Sequence, residues 1–496
     1  MTYSNLESLR QFVPEALITL AILVLLLVDM ATRGRRRGLN AAVAVAGLAA
    51  AGAAVLAQVG TPPAYLFEGM LTLDPFGLFF KIFFVAVGIV VILIAHPYRE
   101  LTGTHHGESY AMILGVVLGM ILLATASNLL MIYLALEMVS LPSYLLTGVL
   151  PRDSKSSEAG LKYVLFGAAA SGCMVYGMSL FYGMTGSLGL GELRAALAAA
   201  PVSPLGLFVA TGFVLAGFGF KIALVPFHMW TPDVYEGAST PVTAFLSVAP
   251  KAAGLAVLLR FFSSGLSTMQ DGVLRPFAGL DWPFLLALVS AATMTLGNLA
   301  AIRQENLKRL LAYSSIAHAG YLLMGAVLLT PEGVKAITFY LVVYALMNLG
   351  AFLVVIAMSV DKRREEFRHY CGLGWRAPLL AVPMSIFLFS LTGVPPFAGF
   401  VGKVYLFQAV IQQDLYWLAV IGVLNSVVSL YYYMRIVKTM YLDDPEPGDA
   451  AAEPVRVPLL HTAVILALAV PTFVFGFEFG WLERLSSYAL HIFSGS

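Results

Sequence analysis

The stretch FKIALVPFHMWTPDVYEGASTPVTAFLSVAPKAAG, residues 220–254, decides the fold. It sets Lys221 and Lys251 inside sequence that is otherwise apolar. Between them lies PFHMWTPDVYEGASTP, a run dense in prolines and polar groups. Why a chain should bury ammonium groups mid-segment, and break a helix beside one of them, depends on the solvent around it.

Composition answers the question of solvent. Of the 496 residues, 59% are hydrophobic and 11% charged, and the mean hydropathy is +0.85. A soluble domain carries roughly 25% charged residues, so a hydrated surface cannot be assembled from this supply and the chain belongs in lipid. A net charge of +1 gives no footprint for nucleic acid. Cys173 and Cys371 lack the paired spacing of a metal or redox motif, and Cys173 reads as a small packing residue. The first apolar run, 12–30, is followed rather than preceded by a basic cluster, RGRRRG from Arg33. That is the reverse of a secretory signal and predicts a retained first span with its N-terminus outside.

Windows of about 20 apolar residues fall near 12–30, 39–59, 75–95, 110–125, 128–149, 160–184, 203–226, 241–263, 283–301, 309–329, 335–360, 378–411, 416–441 and 457–483, fourteen in all. No ten-residue alternation recurs, which argues against a barrel. The expected fold is therefore an all-α polytopic membrane protein of about fourteen transmembrane helices. Alternate loops on one side hold nineteen Lys and Arg residues, among them Arg33–Arg37, Arg303, Lys308, Arg309 and Lys362–Arg364, while the other side holds five. The positive-inside rule then places both termini outward.

A second interruption appears in SIFLFSLTGVPPFAGFVGK, residues 385–403, where VPPF (394–397) echoes VPF (225–227). The window containing it, 378–411, is too long for one straight crossing of roughly 30 Å at 1.5 Å per residue. Two broken helices five spans apart, on spans 7 and 12, enter from opposite sides, the pattern of an inverted five-helix repeat. The expected organisation is an N-terminal three-helix segment (1–109), repeats at 110–263 and 264–441, and a C-terminal helix and tail (442–496).

Glu137, Lys221, Lys251 and Lys403 lie deep in their windows, and His318 adds a titratable group on span 10. A buried lysine costs a few kcal/mol or more. A structural ion pair explains any one of these residues. It explains the set poorly, because apolar side chains hold helices together at lower cost. Low dielectric disfavours an ammonium and a nearby carboxylate favours it. A Glu137–Lys221 pair would then gain and lose a proton as it closes and parts, passing it by way of Lys251 and His318 to Lys403. Broken helices supply the free carbonyls and amides that hold water for such a relay. His318 also has a plainer reading, as a core histidine donating to a carbonyl. Lys81 and Arg260 sit close enough to helix ends to snorkel and are read as structural, and His105 and His106 are expected to be solvated loop residues. With no phosphate loop, cysteine cluster or haem-ligand pair, no cofactor or metal is expected in this chain.

The 221–251 segment resembles the signature core of the antiporter-like membrane subunits of respiratory complex I (NADH–quinone oxidoreductase). LEMVSLPSYLL (136–146) with SSEAGLKYVLFGAAASG (156–172), and RQENLKRLLAYSSIAHAGYLLMG (303–325), look most like the branch called subunit N. The likeness runs from about span 4 through span 13. It implies a proton-pumping module in a bacterial inner membrane, driven by electron transfer in other subunits that bind NADH and quinone, with neighbouring antiporter-like subunits as partners. It also implies functional roles for a span-5 glutamate, lysines on spans 7 and 8 and a terminal lysine or glutamate on span 12, positions held here by Glu137, Lys221, Lys251 and Lys403. A lysine on span 12 suits subunit N better than subunit M, and no long C-terminal helix of the subunit L type is expected. A cation/proton antiporter subunit of the Mrp type, a quinone- or ferredoxin-linked relative and a non-transporting scaffold are the alternatives.

Overall fold

The computed structural model describes residues 2–98, 106–150, 153–199, 203–270, 273–277, 280–328, 330–359, 365–444, 457–490 and 492. Helix α1 (Asn5–Gln11), opened by a Ser4–Glu7 capping box, leads into α2 (Val13–Thr32) and α3 (Arg37–Ala57). A hairpin of β1 (Ala64–Leu66) and β2 (Leu71–Leu73), with Ala64 opposite Leu73, precedes α4 (Pro75–Ala95). Next come α5 (His106–Thr125), α6 (Leu129–Thr147), α7 (Ser154–Thr185), α8 (Leu190–Ala199), α9 (Pro204–Ile222) and α10 (Thr231–Gly237). Helix α11 (Thr240–Arg260) runs on into a π turn, Phe261–Gly265. Strands β3 (Ser267–Gln270) and β4 (Val273–Pro276) form a second antiparallel hairpin.

The second half continues with α12 (Trp282–Ala301), α13 (Leu307–Ala326) and α14 (Pro331–Met358). A 3-10 turn, Phe367–Tyr370, and α15 (Leu373–Arg376) bring the chain to α16 (Pro378–Thr392). Helices α17 (Ala398–Gln412), α18 (Tyr416–Tyr441), α19 (Leu459–Val474) and α20 (Gly480–Tyr488) complete it. Most starts have a local cause: Asp74, Ser203, Asn306 and Thr330 each accept a backbone N–H of the first turn, and Pro75, Pro204 and Pro331 sit just inside.

Eleven of the described helices are long and apolar enough to cross a bilayer, or twelve if the sharply bent pair Phe367–Arg376 and Pro378–Thr392 is one crossing. Every one of the fourteen sequence windows contains a helix, yet α13 is too polar to qualify, and α16, α17 and α19 are only 15, 15 and 16 residues long. Burial grades from the centre outward. Helix α11 is buried all round and α14 nearly so, whereas α2, α3, α7 and α18 present Leu20, Leu27, Leu56, Leu165 and Leu424 to the surroundings. An exterior of this kind suits hydrocarbon.

Two helix ends close alike. Helix α9 stops at Ile222, where Ala223 turns left-handed (φ 66°) and Leu224 N–H reaches back to the Gly219 carbonyl at 2.8 Å. Helix α16 stops at Thr392, where Gly393 does the same (φ 84°) and Val394 N–H reaches the Phe389 carbonyl at 3.1 Å. This wrap satisfies the last carbonyls of each helix, and the prolines that follow disfavour a resumed helix at the residue before them. The Val225–Pro226 and Pro395–Pro396 bonds are both cis.

Lys81 and Arg260 do not snorkel. Lys81 Nζ pairs with Glu15 Oε1 at 2.6 Å, tying α4 to α2, with both side chains buried. Arg260 holds Asp74 through two bonds of 2.7 and 3.0 Å, donates to the Ala124 carbonyl at 2.9 Å and lies over the Phe76 ring. Helix α11 has no lipid-facing side, so its guanidinium has no path to an interface and must be neutralised where it stands. His106 also departs from its solvated-loop reading: it is fully buried at the start of α5, with its Nε2 3.9 Å from Asp29. His105 lies outside the described residues, as do Arg99, Arg152, Lys362, Arg363, Arg364 and Arg456 of the basic side.

Because Asp74 both caps α4 and neutralises Arg260, Asp74→Ala should cost about 3–5 kcal/mol, the usual loss when one partner of a buried pair is removed. A lowered thermal midpoint of the detergent-extracted protein is the readout. An unchanged midpoint contradicts the anchoring role.

Candidate functional site

The five ionisable residues singled out from the sequence occupy a line of helices from α6 to α17. Glu137 is half-buried on α6, and its carboxylate accepts from Ser171 on α7. Lys221, in the last turn of α9, is 1% exposed and donates to Ser140 Oγ at 2.7 Å. Ser140 lies one turn beyond Glu137 on α6. Ser140 in turn donates to the Leu136 carbonyl at 2.7 Å, and no ion pair or hydrogen bond between Lys221 and Glu137 is among those described. Gly254 on α11 makes room for the lysine stem: a Cβ there would stand 3.3 Å from Lys221 Cβ and Cγ.

Lys251 is 3% exposed, in the middle of α11, and donates to Ser315 Oγ on α13 at 2.5 Å, with the Tyr235 ring 5.7 Å away. Pro250 interrupts the hydrogen bonding of α11 immediately before it. The Ser247 carbonyl, one turn earlier, accepts from the Tyr344 hydroxyl at 3.3 Å and from Ser315 at 3.4 Å.

His318 stands one turn along α13 from Ser315 and is 2% exposed. Its Nδ1 is 2.8 Å from the Tyr340 hydroxyl and its Nε2 3.3 Å from the Tyr433 hydroxyl. The partners are hydroxyls of α14 and α18, not a backbone carbonyl, so the plain carbonyl-bonded reading of this histidine does not describe it. Tyr433 also bonds Ser314.

Lys403, 3% exposed, donates to the Thr392 carbonyl at 2.9 Å and to Ser426 Oγ at 3.1 Å, and lies 4.4 Å from the Tyr321 ring centre. Thr392 is the last residue of α16, so the ammonium sits at the carbonyl end of a helix, where the dipole favours positive charge. Tyr321 donates to the Gly422 carbonyl at 3.2 Å and is 3.1 Å from Ser426 Oγ.

One face of α13 thus carries Ser314, Ser315, His318 and Tyr321, at the three-residue spacing that stacks side chains on a helix. It meets Lys251 at one end and the partner of Lys403 at the other. The lysines and the histidine were visible in the sequence as charge among apolar residues. Ser140, Tyr340, Tyr433 and Ser426 were not, because serines and tyrosines in membrane helices are ordinary packing residues, and only the register of α18 shows that Tyr432 and Tyr433 are buried while Tyr431 is exposed. On the basic side, α10 is clamped by Lys155–Glu236, Lys162–Asp233, Arg309–Asp233 and Arg309–Glu236 pairs of 2.6–3.0 Å. No cluster of three or more His, Cys, Asp or Glu residues suited to a metal occurs among the described residues.

Residues 126–429 match the family model described as NADH:quinone oxidoreductase/Mrp antiporter, TM. Over 512 aligned residues the chain is 46% identical to an NADH-quinone oxidoreductase subunit N of Anaeromyxobacter sp. (strain Fw109-5), covering 99% of this chain and 98% of that one. A chain from the respiratory complex I of Thermus thermophilus with bound aureothin is similar at 33% identity and a TM-score of 0.79, covering 96% of this chain and 99% of that one. A chain of the Mrp complex from Dietzia sp. DQ12-45-1b superposes with a TM-score of 0.81 at 24% identity, covering 97% of each chain, a likeness of fold alone.

Gly393 meets two demands at once: its left-handed φ, and a Cβ that would fall 2.8 Å from Lys403 Cδ. Gly393→Ala should therefore cost roughly 1–2 kcal/mol in backbone strain and displace the lysine. Ala223→Gly, at the matching α9 end, relieves the same strain and should leave stability equal or higher. Thermal midpoints of the two variants check this, and equal losses in both would refute it.

Proposed function

This chain belongs to the NADH:quinone oxidoreductase/Mrp antiporter family of membrane subunits, grouping with the subunit N relatives of complex I, and we propose that it translocates protons across a bacterial inner membrane. The observation that carries this reading is the hydroxyl and imidazole face of α13, which lies between two buried ammonium groups, Lys251 and Lys403. A merely structural helix has no need of four hydrogen-bonding side chains on the face it turns to the core.

In this reading Glu137 and Lys221 form the first element, coupled through their opposite charges. Lys251 is the central group, reached from Lys221 across Gly254. His318 accepts from the Lys251 side, and Lys403 hands the proton toward the outer face or to a neighbouring antiporter-like subunit. Lys403 returns to its resting place because the Thr392 carbonyl and the helix dipole restore its charge. Glu137, half-buried on the α6–α7 face, is the member positioned to feel a neighbouring membrane-arm subunit.

The same reading takes α9 with α10, and α16 with α17, as two interrupted crossings in an inverted five-helix repeat. It counts fourteen spans, with both termini outward and the basic loops inward. Membrane lipid surrounds the bundle. Electron transfer, with its NADH and quinone, belongs to other subunits, and this chain contributes no redox centre.

In membrane vesicles driven by NADH, Lys251→Ala and His318→Gln should each depress proton translocation roughly a hundredfold, the lower end of the effect of a lost proton-transfer group, while assembly survives. Lys403→Ala should behave likewise. Lys403→Arg restores charge but holds its proton too tightly to release it, so it should pump no better than alanine. Arginine pumping as well as lysine makes Lys403 a fixed charge. Normal pumping in all four assembled variants leaves a scaffold.

A further inference from the structure

The hydroxyl of Tyr433 occupies the gap between the two ends of the α13 face. Lys251 reaches Ser315, but Ser315 and His318 share no direct bond among those described. The neighbouring Ser314 bonds Tyr433, and Tyr433 bonds His318 Nε2 at 3.3 Å, while Nδ1 faces the Tyr340 hydroxyl at 2.8 Å. The Tyr340 ring in turn lies against α17 at Gly402, where a Cβ would stand 2.5 Å from Tyr340 Cδ2, one residue before Lys403.

We propose that Tyr433 is a proton-passing residue that joins Ser314 to His318, and that Ser314, Tyr433, His318 and Tyr340 act as one two-state hydrogen-bonded wire; the proposal rests on the relay reading above. A tyrosine or serine hydroxyl gives one hydrogen and accepts others, and a neutral imidazole gives one and accepts one. The four groups are then fully bonded in two ways. In the first, Ser314 donates to Tyr433, Tyr433 to Nε2, and Nδ1–H to Tyr340. In the second, every donor and acceptor is reversed.

Moving each hydrogen one step turns the first arrangement into the second. A proton arriving at Ser314 Oγ releases that oxygen's own hydrogen to the Tyr433 oxygen. Tyr433 passes its hydrogen to Nε2, Nδ1 yields its own to Tyr340, and Tyr340 releases its own to a water molecule, the carrier that takes it toward Lys403 on α17. One proton enters, one leaves, and no group ends with changed charge.

Tyr431, two residues earlier on α18, is 62% exposed and points away from the wire. Tyr432 is buried, donates to Asn298 Oδ1 at 3.0 Å and packs its ring 4.4 Å from that of Tyr433. The direct bond to His318 comes from Tyr433.

The experiment uses the assembled complex in native membrane vesicles, measuring protons moved per NADH oxidised. Tyr433→Phe keeps the ring and its packing and removes only the hydroxyl. It should lower the proton yield roughly three- to tenfold, the rate equivalent of about one hydrogen bond, while Tyr431→Phe, at an exposed position on the same helix, stays at the wild-type yield. Ser314→Ala, which breaks the link from α13, should match Tyr433→Phe and serves in its place if the latter fails to assemble. Wild-type yield in Tyr433→Phe or Ser314→Ala, beside depressed yield in His318→Gln, overturns this proposal and leaves the relay standing. Wild-type yield in Lys251→Ala and His318→Gln as well overturns the relay, and this wire with it.

Discussion

A buried ammonium group in a bilayer interior must have an oxygen within reach, and that constraint organises the whole molecule. Lys221 finds Ser140, Lys251 finds Ser315, and Lys403 finds Thr392 and Ser426. Each oxygen comes from a different helix, so holding three charges requires α6, α13, α16 and α18 to stand in fixed register around α9, α11 and α17. Apolar packing supplies the bulk of the cohesion and lipid tolerates its exterior, but packing alone is indifferent to a slip of one turn. The ammonium groups are not.

Two buried ion pairs perform a different task with the same chemistry. Lys81–Glu15 and Arg260–Asp74 are neutralised by full carboxylates at 2.6–2.7 Å, whereas Lys221, Lys251 and Lys403 have only neutral oxygens as partners in the bonds described. A carboxylate holds a proton on its cation firmly. A hydroxyl or carbonyl holds it loosely enough for the charge to move. The contrast within one bilayer-embedded chain separates groups that anchor helices from groups suited to carry protons.

Much of this was legible in the sequence, and the reason is contrast. Lys221, Lys251 and Lys403 stand out because charge is scarce in apolar windows, and the helix ends near 223 and 393 are marked by the prolines that follow. Arg260 was misjudged because distance along a helix says nothing of what surrounds it; only the assembled bundle shows α11 enclosed on every side. His106 was misjudged for a related reason, since a polar stretch between spans gives no sign that Asp29 lies across from it. The expected Glu137–Lys221 pair is not among the bonds described, where Lys221 holds Ser140 and Glu137 holds Ser171, because spacing along two separate helices cannot specify a contact between them. Tyr340 and Tyr433 were invisible for want of contrast: tyrosine is common in membrane helices, and its hydroxyl declares a role only when its neighbours are known. The window count of fourteen exceeded the eleven or twelve helices that qualify by length and apolarity, because the polar face of α13 lowers that helix's hydropathy and because α16, α17 and α19 are short.

The central claim is that the buried lysines change protonation while the assembly turns over. Infrared difference spectroscopy on the native complex, with isotope-labelled lysine and with resting and NADH-driven states compared, tests it directly. The account predicts loss of ammonium signal on turnover, diminished in Lys251→Ala. Lysine signals that stay constant between the two states would show that these charges are fixed, and would contradict it.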